Sequence, residues 1–595
     1  MKKQNKISLI IDHAYLAFSG YRRSIAYLFI FGIISGLLEG IGVNAIIPLF
    51  SLITNNGNMG DDVISRNIVT FFSFFRLPLT VYYMLGLIII LFLLKAVFLF
   101  WSNYIKIKIT AEYEETKRLL LLERTLHSTW AYLIRQKIGY LENVIMHDIQ
   151  RSGLLLQQIT SFVMVITGLF VYLLVAINIS FIMTFITMVV GAIFFTCIRP
   201  VIIKTRDISR KTVNLNKKIA HLINEQIVGL KTLKTMAVEK NVYNIASLHF
   251  ADLKSYKISR FLLNSVVTIM MQPFSLLFIS GLFIFTLKTS YFSFSAMIAL
   301  VYLIQRIFVY IQQLQTTWQG INETFPHLEY VNNYLMESKK NQEKKMGNDT
   351  FSFKKDIVFN NVSFSYAYSD KKILNSLNFT LRCGEMLGIV GPSGAGKTTF
   401  VDVLLRLHEP QEGTIFIDGL PLSGISLHSW RKNIGYVSQD YFLINDSFLN
   451  NIKYYDESIS REDAIEAAKM ANIYDFIESS ANGFDTLIGD RGLMLSNGQR
   501  QRIVIARILA RKPKLLVFDE ATSSLDKESE KKIQQVIENI RGKITIIIIA
   551  HRLSTIHHCN TLLVLNDGGV VESGSPDILL SDTSSYFYKV SNLGL

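Results

Sequence analysis

The sequence predicts a membrane-embedded, all-α domain of six spans followed by an α/β domain organised around a phosphate-binding loop. Three observations carry that expectation. Six long apolar segments fill the first half of the chain, and a charged run at residues 337–345 (ESKKNQEKK) then gives way to short β-rich stretches such as residues 357–364. Residues 391–399 (GPSGAGKTT) fit the pattern GxxxxGK[ST], placed after the apolar, strand-like Met386–Val390 and before an apolar, helix-like segment. In such a run the glycines at 391, 394 and 396 let backbone N–H groups turn inward around phosphate oxygens. Lys397 adds a charge near the β and γ phosphates, and the Thr398 hydroxyl is a Mg²⁺ ligand.

Composition agrees with this division. The 595 residues are 50% hydrophobic and 18% charged, the balance of a membrane protein joined to a soluble part. The formal net charge of +14 fits Lys and Arg gathered on the inner flanks of membrane spans. No nucleic-acid-binding motif with interleaved aromatic and basic residues accompanies it, so nucleic acid is not an expected partner. Cys197, Cys383 and Cys559 are far apart and form no CxxC or Cys/His cluster, so neither a disulfide framework nor a zinc site is expected. Lys2, Lys3 and Lys6 precede an apolar segment longer than a signal-peptide core and without a small-residue cleavage site, which reads as a retained anchor.

The apolar segments lie near residues 24–53, 81–101, 159–177, 179–198, 261–287 and 294–318. Each is long enough to cross a hydrocarbon core of about 30 Å. The third and fourth are separated only around Asn178, which predicts a tight hairpin. The stretches between the second and third, and between the fourth and fifth, are charged and carry Lys106, Lys108, Lys117, Arg118, Lys204, Arg206, Arg210, Lys211, Lys217 and Lys218. The positive-inside rule turns both toward the cytoplasm, and with them the N-terminus and everything after the sixth segment. The expected domains are residues 1–345 and 346–595.

Further chemistry follows the phosphate loop. Residues 515–520 (LLVFDE) read as a buried strand ending in two carboxylates: Asp519, placed to hold Mg²⁺ through water, and Glu520, placed to polarise an attacking water. A second apolar strand, residues 544–550, leads into His551, whose imidazole can reach a γ-phosphate oxygen or that water. Open α/β sheets place their ligands at the C-terminal ends of strands, which favours a functional His551 over an ordinary exposed one.

The ordered series of residues 391–399, Gln439 in YVSQD, residues 495–499 in LSNGQRQR, Asp519 with Glu520, Asp526 in SSLD and His551 in IAHRLST resembles the nucleotide-binding domain of an ABC transporter. The upstream spans resemble the exporter type of transmembrane domain. The resemblance implies a six-helix transmembrane domain followed by a P-loop ATPase domain with a helical subdomain, and ATP and Mg²⁺ as its ligands. It makes Gly391, Ser393, Gly394, Ala395, Gly396, Lys397, Thr398 and Thr399 the phosphate cradle. Tyr366, or alternatively Tyr368, is the aromatic that stacks on adenine. Gln439 touches Mg²⁺ and senses the membrane domain, and Asp526 bridges the two nucleotide domains. Ser496, Asn497, Gly498 and Gln499 form the signature that meets the ATP of the opposite subunit, so a complete site needs two chains. The family's second signature residue is glycine. Asn497 stands there instead, and asparagine tolerates a left-handed backbone better than other non-glycine residues. Because Glu520 and His551 are both present, a homodimer with two working sites is the simpler reading. Residues 130–135 and 230–239 resemble the short helices that couple the two domains.

The cargo has to be read from the spans. Residues 37–53 resemble the corresponding part of bacterial flippases for lipid-linked oligosaccharides, and the apolar residues 68–75 either rest in the membrane interface or touch a lipid tail, or else extend a membrane helix outward with aromatic anchors. Arg306 lies about twelve residues into the sixth segment and so near mid-bilayer, where a charge is costly. Tyr302, Arg306, Tyr310, Gln313 and Thr317 share one helical face. Two readings stand: a polar cavity in which Arg306 holds a phosphate of the cargo, or an ion pair between Arg306 and Glu39. An ATP-driven flippase of lipid-linked saccharide or related anionic lipid in the cytoplasmic membrane leads. A multidrug or peptide exporter and an ATP-gated channel are the alternatives.

Overall fold

The structure is a computed structural model that describes residues 6–45, 49, 66, 70, 72–74, 76, 78, 80–136, 138–289, 294–344, 347–366, 371–519, 526–549 and 556–592. The chain divides into two compact units: Met1–Ser128 with Tyr132–Gln342, and Thr129–Ala131 with Glu343–Leu595.

The first unit is helical. Its elements are α1 (Lys6–Phe18), α2 (Arg22–Asn44), α3 (Val81–Leu126), α4 (Trp130–Leu133, which the division between the units cuts after Ala131), α5 (Ile138–Asn143), a π-helical turn (Val144–Asp148), α6 (Ile149–Ile179), α7 (Phe181–Val228), α8 (Leu230–Thr235), α9 (Glu239–Thr289) and α10 (Phe294–Lys340). The six predicted spans fall on α2, α3, α6, α7, α9 and α10, except that residues 46–48 and 50–53 of the first lie outside the described residues. Among the described residues, Ile11–Gly42, Val81–Leu126, Tyr140–Ile177 and Glu239–Gly281 are long and apolar enough to cross a membrane. Phe181–Ile193 on α7 is a shorter apolar stretch. On α10 the side chains described from Val301 onward include Gln305, Arg306, Gln312, Gln313 and Gln315, which interrupt its apolar face.

The break between α6 and α7 falls at Ser180, two residues beyond the predicted Asn178. Ser180 is extended (φ −155°, ψ 108°) and its hydroxyl accepts the Met183 N–H at 3.4 Å, so a side-chain cap sets the start of α7. Within the unit α10 packs along α6 and α7, and α2 packs on α3 and α6. Close approach depends on small residues, since in hydrocarbon van der Waals contact, not the hydrophobic effect, holds helices together. Gly168 on α6 shows this: a β-carbon there would overlap the ring of Tyr310 on α10. Phe72 is buried with Ala45 and Met84, while Phe74 is exposed. Residues 68, 69, 71 and 75 of that apolar patch lie outside the described residues.

The second unit carries two sheets. Strands β1 (Asp356–Phe364), β2 (Leu374–Arg382), β4 (Glu412–Ile417) and β5 (Leu420–Pro421) form an antiparallel sheet in the order β2-β1-β4-β5. Strands β3 (Met386–Val390), β6 (Ile434–Val437), β7 (Leu515–Asp519), β8 (Thr545–Ile549), β9 (Thr561–Asn566) and β10 (Gly569–Gly574) form the larger sheet, in the order β10-β9-β3-β8-β7-β6. All its pairings are parallel except β9 with β10. β3, β7 and β8 are buried along their whole length, which is why they read as continuous apolar runs instead of alternating ones.

Helix α11 (Lys397–Leu404) follows β3 directly, and α12 (Leu427–Lys432) brings Trp430, fully buried, whose Nε1 donates to the Leu404 carbonyl at 2.9 Å. That bond ties down the far end of the phosphate-loop helix. Helices α13 (Phe448–Lys453), α14 (Arg461–Met470) and α15 (Tyr474–Glu478) precede α16 (Asn497–Leu509), and both α13 and α14 pack on it. They share a core with Phe448, Ile452, Ala464, Ala467 and Ile503. Beyond β7 come α17 (Lys527–Ile540), α18 (Pro576–Ser581) and α19 (Tyr586–Asn592).

Gly388, at the middle of β3, has no room for a side chain: a β-carbon would lie 2.6 Å from Leu562 Cδ2 and 2.9 Å from Cys559 Sγ. Gly388→Val is expected to destabilise the second unit by about 1–3 kcal/mol through overpacking. Thermal unfolding of the full-length protein should show a lowered transition, and an unchanged one would mean that β3 can shift away from β9.

Candidate functional site

The phosphate loop begins where β3 ends. Gly391 has φ +155°, and a β-carbon on it would run into the Leu565 carbonyl of β9. The loop closes at Gly396, left-handed with φ +98°, which is the N-cap of α11. No side chain fits either requirement without strain. The turn aims backbone N–H groups and the positive end of α11 at one point, an anion cradle. Ser393 and Gly394 are exposed, and Ala395 and Gly396 are buried. Lys397 is buried, and its ammonium donates to the carbonyls of Gly391 at 2.8 Å and Pro392 at 3.1 Å, which holds its charge over the loop.

Thr398 is exposed and Thr399 is buried. The Thr399 hydroxyl lies 3.1 Å from that of Tyr366. The Tyr366 ring meets Phe364 and His408 edge-on, with centroids 5.1 and 5.4 Å away, and is half-buried at the edge of the cradle. Tyr368 lies outside the described residues.

The parallel pairing of β3, β8, β7 and β6 aligns the C-terminal ends of these strands. Asp519, the last residue of β7, is buried and accepts the Tyr436 hydroxyl of β6 at 3.1 Å. Burial, and then the Asp519 charge, push the Tyr436 phenol well above its ordinary range. The same two causes push the half-buried Asp402 carboxyl of α11 up to about 6. The Asp519 carboxylate, the exposed Thr398 hydroxyl and the amide of Gln439, exposed on the loop after β6, are oxygen donors of the kind that Mg²⁺ takes. Glu520 and His551 lie outside the described residues. They follow β7 and β8, which are neighbours in the sheet.

The signature region is built differently from the expectation. Ser496 caps α16 and Gln499 reciprocates, the Ser496 hydroxyl accepting the Gln499 N–H at 3.3 Å and the Gln499 amide oxygen accepting the Ser496 N–H at 2.9 Å. Asn497 is the first helical residue and is not left-handed, so tolerance of a positive φ is not what admits asparagine there. Its side-chain oxygen accepts a hydrogen bond from Arg500. Glycine is required one position later and for space: a β-carbon on Gly498 would strike Ser529. Asp526 caps α17, accepting the Ser529 N–H at 3.1 Å, and hydrogen bonding from Ser529 holds its carboxyl below the usual range.

Arg507 was not among the expected residues. On α16 it donates to the Phe442 carbonyl at 2.8 Å and the Asn451 carbonyl at 2.7 Å, and burial pulls its guanidinium down to about 10. Tyr441 donates to Gln501 at 3.2 Å. The signature helix therefore grips the loop that carries Gln439. A lone arginine inside the apolar run IVIARIL was the available signal.

In the first unit, Glu39 is buried and its nearest partner is Lys95 of α3, Nζ to Oε1 2.8 Å. Arg306 approaches the same carboxylate at 3.8 Å and donates through Nε to the Tyr302 hydroxyl at 2.8 Å, while Tyr310 donates to Glu39 at 3.3 Å. The proposed Arg306–Glu39 pair is thus a peripheral contact of a pair dominated by Lys95. Lys95 is the single charge in the apolar stretch of α3 and escaped notice because its partner is remote in sequence. Gln313 lines a cavity beside Tyr310. Short helices, α4 and α8, occupy the two expected coupling segments.

Comparison with known proteins matches residues 25–309 to the ABC transporter transmembrane region and residues 374–523 to the ABC transporter family. The chain is 31% identical over 470 residues to the heterocyst differentiation ATP-binding protein HepA of Nostoc sp., covering 76% of this chain and 74% of that protein. It is 45% identical over 231 residues to the ATP-dependent lipid A-core flippase of Methylobacillus flagellatus, a match that spans 39% of this chain and 40% of the relative's length. A solved structure of a bacterial Atm1-family ABC exporter with ATP bound superposes with a TM-score of 0.80 at 22% identity, covering 96% of this chain and 98% of that one.

Asp402 yields a pH-dependent expectation. Its folded value of about 6 stands above the ordinary carboxylate value, so the stability it contributes is full at acid pH and is lost as pH rises through 6. Asp402→Asn should therefore stabilise the protein at pH 7.5 by roughly 1 kcal/mol, after discounting for partial exposure. The gain should shrink toward pH 5. Thermal unfolding at the two pH values checks this, and an equal shift at both would remove the carboxylate as its cause.

Proposed function

The chain belongs to the ABC transporter family as a half-transporter of the exporter type, and from that premise we propose that it is an ATP-driven flippase for a lipid-linked saccharide or related anionic lipid in the cytoplasmic membrane. The observation that carries the cargo reading is the charge cluster of the first unit, where the buried Glu39 meets Lys95 and Arg306 beside Tyr302 and Tyr310. Charges within apolar helices are costly and are kept where they serve a polar pathway. The likeness over 231 residues to a protein named for lipid A-core flipping supports the same class.

In this reading two copies assemble, with the N-terminus and the second unit in the cytoplasm. Lys397 exchanges its loop carbonyls for the β- and γ-phosphates of ATP, and Tyr366 stacks on adenine. Thr398, Gln439 and Asp519 would hold Mg²⁺, which when bound would neutralise charge on the phosphate oxygens. Glu520 accepts a proton from water as the water oxygen bonds to the γ-phosphorus and the bond to ADP breaks, and His551 orients the attack. Ser496 and Gly498 of the second copy, at the start of α16, cover the γ-phosphate. Asp526 bridges the two copies. Closing the two nucleotide sites moves the loop held by Arg507, and α4 and α8 pass that motion to the spans. Cargo moves as the cavity alternates between the two sides.

Glu520→Gln keeps the shape and cannot accept a proton, so ATP binding should persist while steady-state hydrolysis falls by about 10²-fold or more. Hydrolysis near the parental rate would remove Glu520 as the base. The transport reading is tested in proteoliposomes with fluorescent anionic and zwitterionic lipids: ATP-dependent movement of the anionic lipid is expected. Ion conductance without lipid movement would favour a channel.

A further inference from the structure

The first unit contains a cavity of about 300 Å³ between α2, α3, α6 and α10, lined by Ser35, Lys95, Lys106, Ser161, Tyr310 and Gln313 together with small and apolar residues. Among the described residues its lining holds two lysines and no carboxylate. Lys95 is already compensated, 2.8 Å from Glu39. Lys106 is half-buried and donates to the Ser161 hydroxyl at 3.2 Å, and among the described residues it pairs with no carboxylate. The uncompensated charge of the cavity is therefore at Lys106.

Depth then fixes the ligand class. The lysines are eleven residues apart on α3, about 16 Å along the axis. The apolar run of α3 ends just before Lys106, where Lys108, Lys117 and Arg118 begin the cytoplasmic stretch. Lys106 thus lies at the level of the inner headgroups, and the cavity runs from there toward the bilayer interior, with Leu99, Met164 and Val165 among its walls. A half-buried ammonium at that level with only a hydroxyl for company is completed by a phosphate oxygen.

We propose that this cavity is the site at which the phosphate of an inner-leaflet anionic lipid is taken up, the phosphate bound by Lys106 and Ser161 and the rest of the headgroup directed toward Ser35, Tyr310 and Gln313. The proposal rests on the flippase reading and adds to it the place, the recognised group and the leaflet of origin.

The test is lipid retention without nucleotide. Protein purified in detergent is exchanged against an equimolar mixture of phosphatidic acid and phosphatidylcholine, and the retained lipid is quantified by mass spectrometry. The parental protein should favour phosphatidic acid by about tenfold, the size of one charge-assisted hydrogen bond. Lys106→Gln should abolish the preference and Lys106→Arg should restore it. Lys108→Gln, on the same helix but paired with Glu112 at 3.9 Å, should leave it intact. Lys106→Met keeps the packing of the lysine stem and should give the same loss should the glutamine variant fold poorly. Unchanged preference in both neutral variants overturns the site. Displacement of the lipid by millimolar inorganic phosphate alone overturns the lipid assignment in favour of a free phosphate. Retention that depends on Lys106 without ATP-driven lipid movement in proteoliposomes would leave the site standing and sink the flippase reading; lipid movement equal in parental protein and Lys106→Gln would do the reverse.

Discussion

The parallel pairing of β3, β8 and β7 is the constraint on which the chemistry of the second unit depends. Three buried strands in register end at one edge, so the glycine turn after β3, the end of β8 and the carboxylate ending β7 lie side by side. A parallel sheet of this kind needs cover on both faces, and the helices that supply it are the ones that carry function. α11 presents the phosphate loop, and α16 presents Ser496. Removing water from these strands also sets the local electrostatics. Asp519 is buried beside Tyr436 and near Asp402, and the titration of both neighbours is displaced by burial together with that one charge.

α16 joins two tasks in one rigid element. Its N-terminus is organised by the reciprocal bonds of Ser496 and Gln499, while three turns later Arg507 holds the loop after Gln439. A helix transmits displacement along its axis with little loss. Whatever moves the signature end must also move the Gln439 loop. The two ends of the helix therefore report to each other through thirteen residues of backbone.

The phosphate loop was legible in the sequence because its requirement is conformational: positive φ at Gly391 and Gly396 writes itself as glycine. The strands were legible for a similar reason, since full burial writes itself as an unbroken apolar run. Asn497 was misread because the demand at the signature is spatial and falls on Gly498, whose neighbour Ser529 lies in a different element. Lys95 and Arg507 were missed for a related cause: each is the one charge in an apolar run of its helix, and its meaning comes from a partner brought near only by the fold. Glu39 and Arg306 were visible as a polar pair within the spans, but their order of importance with Lys95 depends on the distances. The hinge after α6 was placed two residues early because a polar residue marks a turn less sharply than the side-chain cap that Ser180 supplies.

The grip of Arg507 on Phe442 has an evolutionary consequence. The acceptor is a main-chain carbonyl, present whatever side chain position 442 carries. Drift at 442 leaves the joint intact, so no compensating change at 507 is ever selected. Statistical searches for co-varying positions will be blind to this link between the signature helix and the loop after Gln439, and its only trace in a family of sequences will be constancy at a single arginine.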